Sequence, residues 1–150
     1  MQKNNTGSIS VISTPIGNSE DITIRAIRTL NEIDIIACED TRVTAKILHV
    51  YGIRTPTISY HEYNSRQQLP RILTRLKNGD PVALVCDAGT PLISDPGQYL
   101  VEAAIENQIK TFLKELRIKQ EDVNKNINMK LESGEELVRN EFYRLYVNLM

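Results

Sequence analysis

Five consecutive apolar residues, Val82-Ala83-Leu84-Val85-Cys86, run directly into Asp87-Ala88-Gly89-Thr90-Pro91-Leu92-Ile93-Ser94-Asp95-Pro96-Gly97. An apolar run this short, without alternation, is what a strand covered on both faces requires, and such strands belong to parallel sheets sandwiched between helices. Leu100, Val101, Ala104 and Ile105 then recur at helical spacing. The segment therefore reads as strand, long loop, helix.

The same order repeats upstream. Ser8 to Ser13 alternates small polar with β-branched residues and meets the loop Thr14-Pro15-Ile16-Gly17-Asn18. Ile24, Ile27 and Leu30 predict an amphipathic helix with Arg25 and Arg28 on its other face, and Ser19, Glu20 and Asp21 offer capping chemistry. Ile33 to Cys38 reads as a strand ending at Glu39-Asp40-Thr41-Arg42, followed by a helix through Ala45, Leu48 and Val50 that Gly52 closes. Thr57 to Tyr60 is a brief strand, Leu69 to Leu76 a helix entered near Pro70, and Asn78-Gly79-Asp80-Pro81 a turn. Alternating strands and helices predict an α/β fold, a mostly parallel sheet flanked by helices. Ligands of such sheets bind at the carboxyl ends of the strands. The loops Thr14–Asn18, Glu39–Arg42 and Asp87–Gly97 should therefore gather on one edge.

Composition narrows the function. At 150 residues one domain is the default. Eighteen Lys plus Arg against nineteen Asp plus Glu leave a net charge of −1, so any nucleic-acid contact must come from a local patch. No apolar run approaches the ~18 residues of a membrane span. Cys38 and Cys86 stand far apart and read as reduced thiols of a cytoplasmic protein. Two His and two Cys without ligand spacing argue against a metal.

In the last predicted loop, Gly89 and Gly97 permit close approach of a ligand, Pro91 and Pro96 stiffen the chain, and Thr90, Ser94 and Asp95 offer hydrogen bonds. The loop at Thr14 carries neither a dinucleotide nor a nucleotide triphosphate fingerprint, and both loops could simply turn the chain. Glu39-Asp40-Thr41-Arg42 could hold a hydroxyl, a base edge or a phosphate; equally, Asp40 or Thr41 could cap a helix while Arg42 pairs with Glu39. Tyr60-His61-Glu62-Tyr63-Asn64 offers His61 as a proton acceptor with aromatics for stacking on a base, or else an ordinary surface histidine. Arg66, Arg71, Arg75 and Lys77 form a basic helix face for a phosphate backbone or for water.

Read as strings, TPIGNSEDITIRAIRTL, IIACEDTR, YGIRTPTISYHEYN and VALVCDAGTPLISDPG resemble consecutive motifs of the ribosomal RNA branch of the tetrapyrrole methylase superfamily. The resemblance runs without evident gaps from about Ser8 to Lys110. It implies S-adenosylmethionine as methyl donor, 2′-O-methylation of a cytidine in 16S ribosomal RNA of the 30S subunit, and a cytoplasmic homodimer. It also implies an α/β first lobe facing a second lobe across the cofactor cleft. On that basis Pro15 and Gly17 border the cofactor, Asp87, Ala88, Gly89, Thr90 and Pro91 cradle its methionyl part, and Ser94 and Asp95 line the same cleft. Glu39, Asp40 and His61 become candidates for removing the ribose proton, with Arg42 and Arg66 for RNA.

After Lys110 the family pattern stops. Where the family continues into an apolar strand and the second lobe, Thr111-Phe112-Leu113-Lys114-Glu115-Leu116 reads as helical. Lys110 to Met150 contains no proline and only Gly134. The expectation is a first lobe over residues 1–110 and a divergent helical tail over 111–150, with the second lobe missing. Two other functions compete: a catalytically inactive remnant that dimerises or binds RNA, and a methylase acting on a tetrapyrrole.

Overall fold

A computed structural model describes residues 7–89, 91 and 97–113. Five strands alternate with four helices: β1 Ser8–Val11, α1 Ile24–Glu32, β2 Ile35–Cys38, α2 Thr41–Val50, β3 Thr57–Ser59, α3 Ser65–Lys77, β4 Val82–Leu84, α4 Gly97–Glu106 and β5 Lys110–Leu113. The strands form one parallel sheet in the order β3-β2-β4-β1-β5. The predicted α/β class and parallel sheet are thus what the chain adopts.

Successive strand residues point to opposite faces, and the two faces are packed by different helices. Ile9, Val11, Ile35, Ala37, Val82 and Leu84 pack with Ile72 and Leu76 of α3 and with Leu100, Val101 and Ala104 of α4. Ile12, Ile36, Cys38, Ala83 and Val85 pack on the other side with Ala26 and Leu30 of α1 and Leu48 of α2. The unbroken apolar run after Pro81 is apolar because both of its faces are covered.

This arrangement sets the ligand edge. The chain leaving β1 and β2 turns to one face of the sheet, whereas the chain leaving β4, which lies between them, turns to the other. Loops that diverge in this way open a crevice at the carboxyl ends of the strands.

The structure corrects the sequence reading at four places. Thr111 to Leu113 does not begin a helix: it lies in β5, which pairs with β1 through Ser8↔Lys110 and Val11↔Leu113. The remainder of the tail lies outside the described residues. Helix α3 begins at Ser65, before Pro70, so the proline lies inside the helix and not at its first turn. Thr23 caps α1, its Oγ1 accepting from the Ala26 N–H at 3.0 Å, while Ser19–Asp21 form a separate 3₁₀ turn. Ile24, placed on the apolar face by its spacing, is exposed; Ala26, Thr29 and Leu30 make the buried face.

Candidate functional site

The loops after β1 and β4 are joined across the crevice. The Thr14 N–H donates to the Gly89 carbonyl at 2.8 Å and the Gly89 N–H returns a bond to the Thr14 carbonyl at 3.0 Å. Thr14 Oγ1 also donates to the Cys86 carbonyl at 3.0 Å. Gly89 sits at φ +88° and Gly17 at φ +82°, a region that L side chains rarely occupy. Ile16 lies over Gly89, its Cδ1 only 3.5 Å from where a Cβ would stand there, yet 75% of Ile16 is exposed. Pro15 is half-buried, Ala88 exposed and Pro91 buried. Thr90, Ser94 and Asp95 lie outside the described residues.

A second tie joins the ends of β2 and β4: the Asp40 N–H donates to Asp87 Oδ1 at 3.1 Å. Asp40 also caps α2, Oδ1 accepting from the Arg42 N–H at 2.9 Å. The Arg42 guanidinium then grips the same carboxylate, Nε to Oδ1 at 3.1 Å and Nη2 to Oδ2 at 2.8 Å. That pairing holds the Asp40 carboxyl down to about 2, well below its ordinary value, and pushes Arg42 up. Asp40 is therefore a cap, and the partner of Arg42 is Asp40 and not Glu39. Glu39 itself is exposed at the end of β2.

Two thiols share this edge. Burial, aided by the Glu39 and Asp87 carboxylates, pushes Cys86 up to about 11. Burial likewise raises Cys38, with Asp87 and Asp40 contributing. Three carboxylates thus gather around the ends of β2 and β4, and both thiols stay protonated at neutral pH.

The turn after β3 sits beside β2 on the same edge. Its backbone is pinned by Asn64, whose Oδ1 accepts from the His61 N–H at 2.8 Å and whose Nδ2 donates to the Ser59 carbonyl at 3.1 Å. Ser65 Oγ donates to the Glu62 carbonyl at 3.2 Å. The half-buried His61 ring meets the Tyr63 ring edge to face, centroids 6.1 Å apart. Arg66 is exposed on the first turn of α3. The edge therefore assembles Pro15, Gly17, Glu39, Asp40, Arg42, Asp87, Ala88 and Gly89, with His61 and Arg66 one strand further out.

Sequence reading passed over Thr14, Ile16 and Asn64. Nothing local marks a threonine that bonds across a sheet, and Asn64 becomes legible only once α3 is known to start at Ser65. No group of three or more His, Cys, Asp or Glu that could hold a metal occurs among the described residues. No helix of the described residues is long and apolar enough to cross a membrane.

The sequence pattern of the tetrapyrrole (corrin/porphyrin) methylases matches residues 8–112, which include every strand residue but the last. The chain belongs to the tetrapyrrole methylase family. Its tetrapyrrole methylase region is 50% identical over 103 residues to ribosomal RNA small subunit methyltransferase I of Mesorhizobium japonicum, covering 69% of this chain and 35% of that protein. It is 53% identical over 96 residues to the protein of that name from Thermotoga maritima, covering 64% and 43%. With the Bacillus subtilis protein of the same name it shares 52% over 100 residues, covering 67% and 34%. This tetrapyrrole methylase chain thus spans well under half the length of these relatives.

Proposed function

We propose that this chain carries the first lobe of an S-adenosylmethionine-dependent methyltransferase acting on small-subunit ribosomal RNA. The finer reading is 2′-O-methylation of a cytidine in 16S RNA within the 30S particle, by a cytoplasmic homodimer. The lobe runs through β5, and the remaining chain to residue 150 is the divergent tail. The observation that carries the reading is the convergence of three loops at one sheet edge, inside the region that is about half identical to methyltransferases named for ribosomal RNA.

The residues present fit the cofactor. Gly17 leaves backbone uncovered, exposed Ile16 offers apolar surface beside Gly89, and the Glu39 and Asp87 carboxylates suit a ligand bearing sulfonium and ammonium charges. Pro15, Gly17, Asp87, Ala88, Gly89, Thr90 and Pro91 would hold it, with Ser94 and Asp95 along the same loop. When bound, it supplies an electrophilic methyl carbon. The protein must hold the ribose hydroxyl in line and take its proton. Asp40, capping α2 and clamped by Arg42, is a poor base, and its role is to fix the loop. We assign proton removal to Glu39, whose exposed carboxylate stands at the carboxyl end of β2, near enough to help raise the Cys86 thiol. His61 stands one strand away, and the exposed Arg42 and Arg66 would meet RNA phosphate.

A second reading, favoured by the exposed Arg66, Arg71 and Lys77 of α3, is a folded module that binds RNA or another chain without transferring methyl. Thermal unfolding with increasing S-adenosylmethionine, followed by transfer of labelled methyl to 30S subunits, separates the two. A ligand at 100 times its dissociation constant adds roughly 2.7 kcal/mol. A rising midpoint with label on 16S RNA is expected; an unchanged midpoint in a cooperatively folding sample overturns the methyltransferase reading.

A further inference from the structure

The most exposed large apolar side chain among the described residues with a known role for none of its atoms in the core is Tyr63, 93% exposed, on the turn between β3 and α3. The turn beneath it is not loose. Asn64 ties it to His61 and to Ser59, Ser65 Oγ ties it to Glu62, and the His61 ring props the tyrosine edge on. A large ring on a fixed backbone loses little freedom when something stacks on it. Behind it begins α3, thirteen residues that include Arg66, Arg71, Arg75 and Lys77 and no Asp or Glu. Arg75 is paired with Asp80 at 3.1 Å, whereas Arg66, Arg71 and Lys77 are exposed. In a chain of net charge −1 this helix is locally cationic, Arg66 and Lys77 fall on one flank of it about three turns apart, and an aromatic ring stands at its end nearest the carboxyl edge of the sheet.

We propose that Tyr63 is a stacking platform for an unpaired base of the RNA substrate, with Arg66 and Lys77 on one flank of α3 meeting phosphates of the same strand. The proposal deepens the RNA-directed reading above and rests on it. Stacking on an aromatic ring accepts any base, and the cationic side chains supply charge without sequence, so this surface grips single-stranded RNA while selection of the target belongs to the crevice. A duplex has its bases stacked already and offers the ring no face.

The test uses the full chain and a synthetic unstructured 12-nucleotide RNA, beside the same oligomer with abasic riboses, read by fluorescence anisotropy. Tyr63→Ala is expected to weaken binding of the base-bearing RNA about tenfold or more while leaving the abasic strand unaffected, and Tyr63→Trp to restore it. Arg66→Gln with Lys77→Gln should weaken both strands and flatten the salt dependence. Equal affinities of wild type and Tyr63→Ala overturn the proposal, as does absence of RNA binding by the wild type. Loss of self-association in Tyr63→Ala with RNA affinity intact overturns it in favour of a protein contact. The midpoint shift with S-adenosylmethionine, measured on the same variants, reports separately on the methyltransferase reading and should be unmoved by Tyr63→Ala.

Discussion

The backbone N–H of Asp40 donates to the carboxylate of Asp87 across adjacent strands β2 and β4, at 3.1 Å. One bond thus joins the loop that starts α2 to the loop that reaches α4, which leave the sheet toward opposite faces. Asp87→Ala removes a charged acceptor from a partly buried amide and should cost about 1.5–3 kcal/mol. Asp87→Asn, which keeps an acceptor oxygen, should lose less. Urea unfolding of the two variants checks the order, and a variant pair indistinguishable from wild type would mean the tie is closed by water.

Asp40 gives the chain a specific acid response. Its folded value, about 2, lies below the ordinary 3.8, so the folded chain binds that proton more weakly than the unfolded chain does. The stabilisation is therefore complete above about pH 4 and disappears as pH falls toward 2. Asp40→Asn preserves a capping side chain but not the charge. The difference in unfolding midpoint between wild type and Asp40→Asn should be constant above pH 4, shrink below it, and be smaller in high salt.

Two glycines should fail on substitution for different reasons. A Cβ on Gly7 would stand 2.3 Å from the Asp80 carbonyl oxygen and 2.7 Å from that of Leu76, both backbone atoms. Among the described residues a Cβ on Gly89 meets only Ile16 at 3.5 Å, so its cost is that of holding alanine at φ +88°, about 1–3 kcal/mol. Gly7→Ala should therefore be the more damaging, and replacing Ile16 by alanine should not rescue Gly89→Ala. Denaturation midpoints of the three variants decide this.

Cys86 should be a sluggish nucleophile although it is not fully buried. With its thiol pushed up to about 11, only about a thousandth is thiolate at pH 8. Iodoacetamide labelling followed by mass spectrometry should show native Cys86 reacting far more slowly than the unfolded chain, with Cys38 slower still because its side chain is enclosed. Removing Glu39, one of the charges raising Cys86, should speed labelling modestly.

Much of this fold is legible in the sequence, because its determinants are local. Val82 to Val85 is apolar on both sides of the pleat, and Leu48, Leu76 and Leu100 recur on helical faces. The gathering of three loops follows from strand ends alone. What eludes local reading depends on distant partners. Thr111-Phe112-Leu113 has helical spacing with Leu116, and it is β1, a hundred residues earlier in the chain, that makes it a strand. Pro70 suggests a helix start by its own preference, but Asn64 and Ser65 set the turn upstream of it. The pairing of Arg42 with Asp40 rather than Glu39 is decided by Asp40 capping α2, which points its carboxylate toward the arginine.

The neighbours of β1 carry one more consequence. Ile9, near the start of the chain, pairs with Val82 on one side and Thr111 on the other. As the chain emerges from the ribosome, β2 and β3 are complete early and can pair with each other, but β1 has no partner until β4 follows, and β5 later still. The strand must therefore wait until Val82 and its neighbours have been made, and the sheet closes around it late, in a step dominated by long-range contacts and correspondingly slow. Slowing translation just before Val82 should prolong the interval in which a chaperone can capture β1.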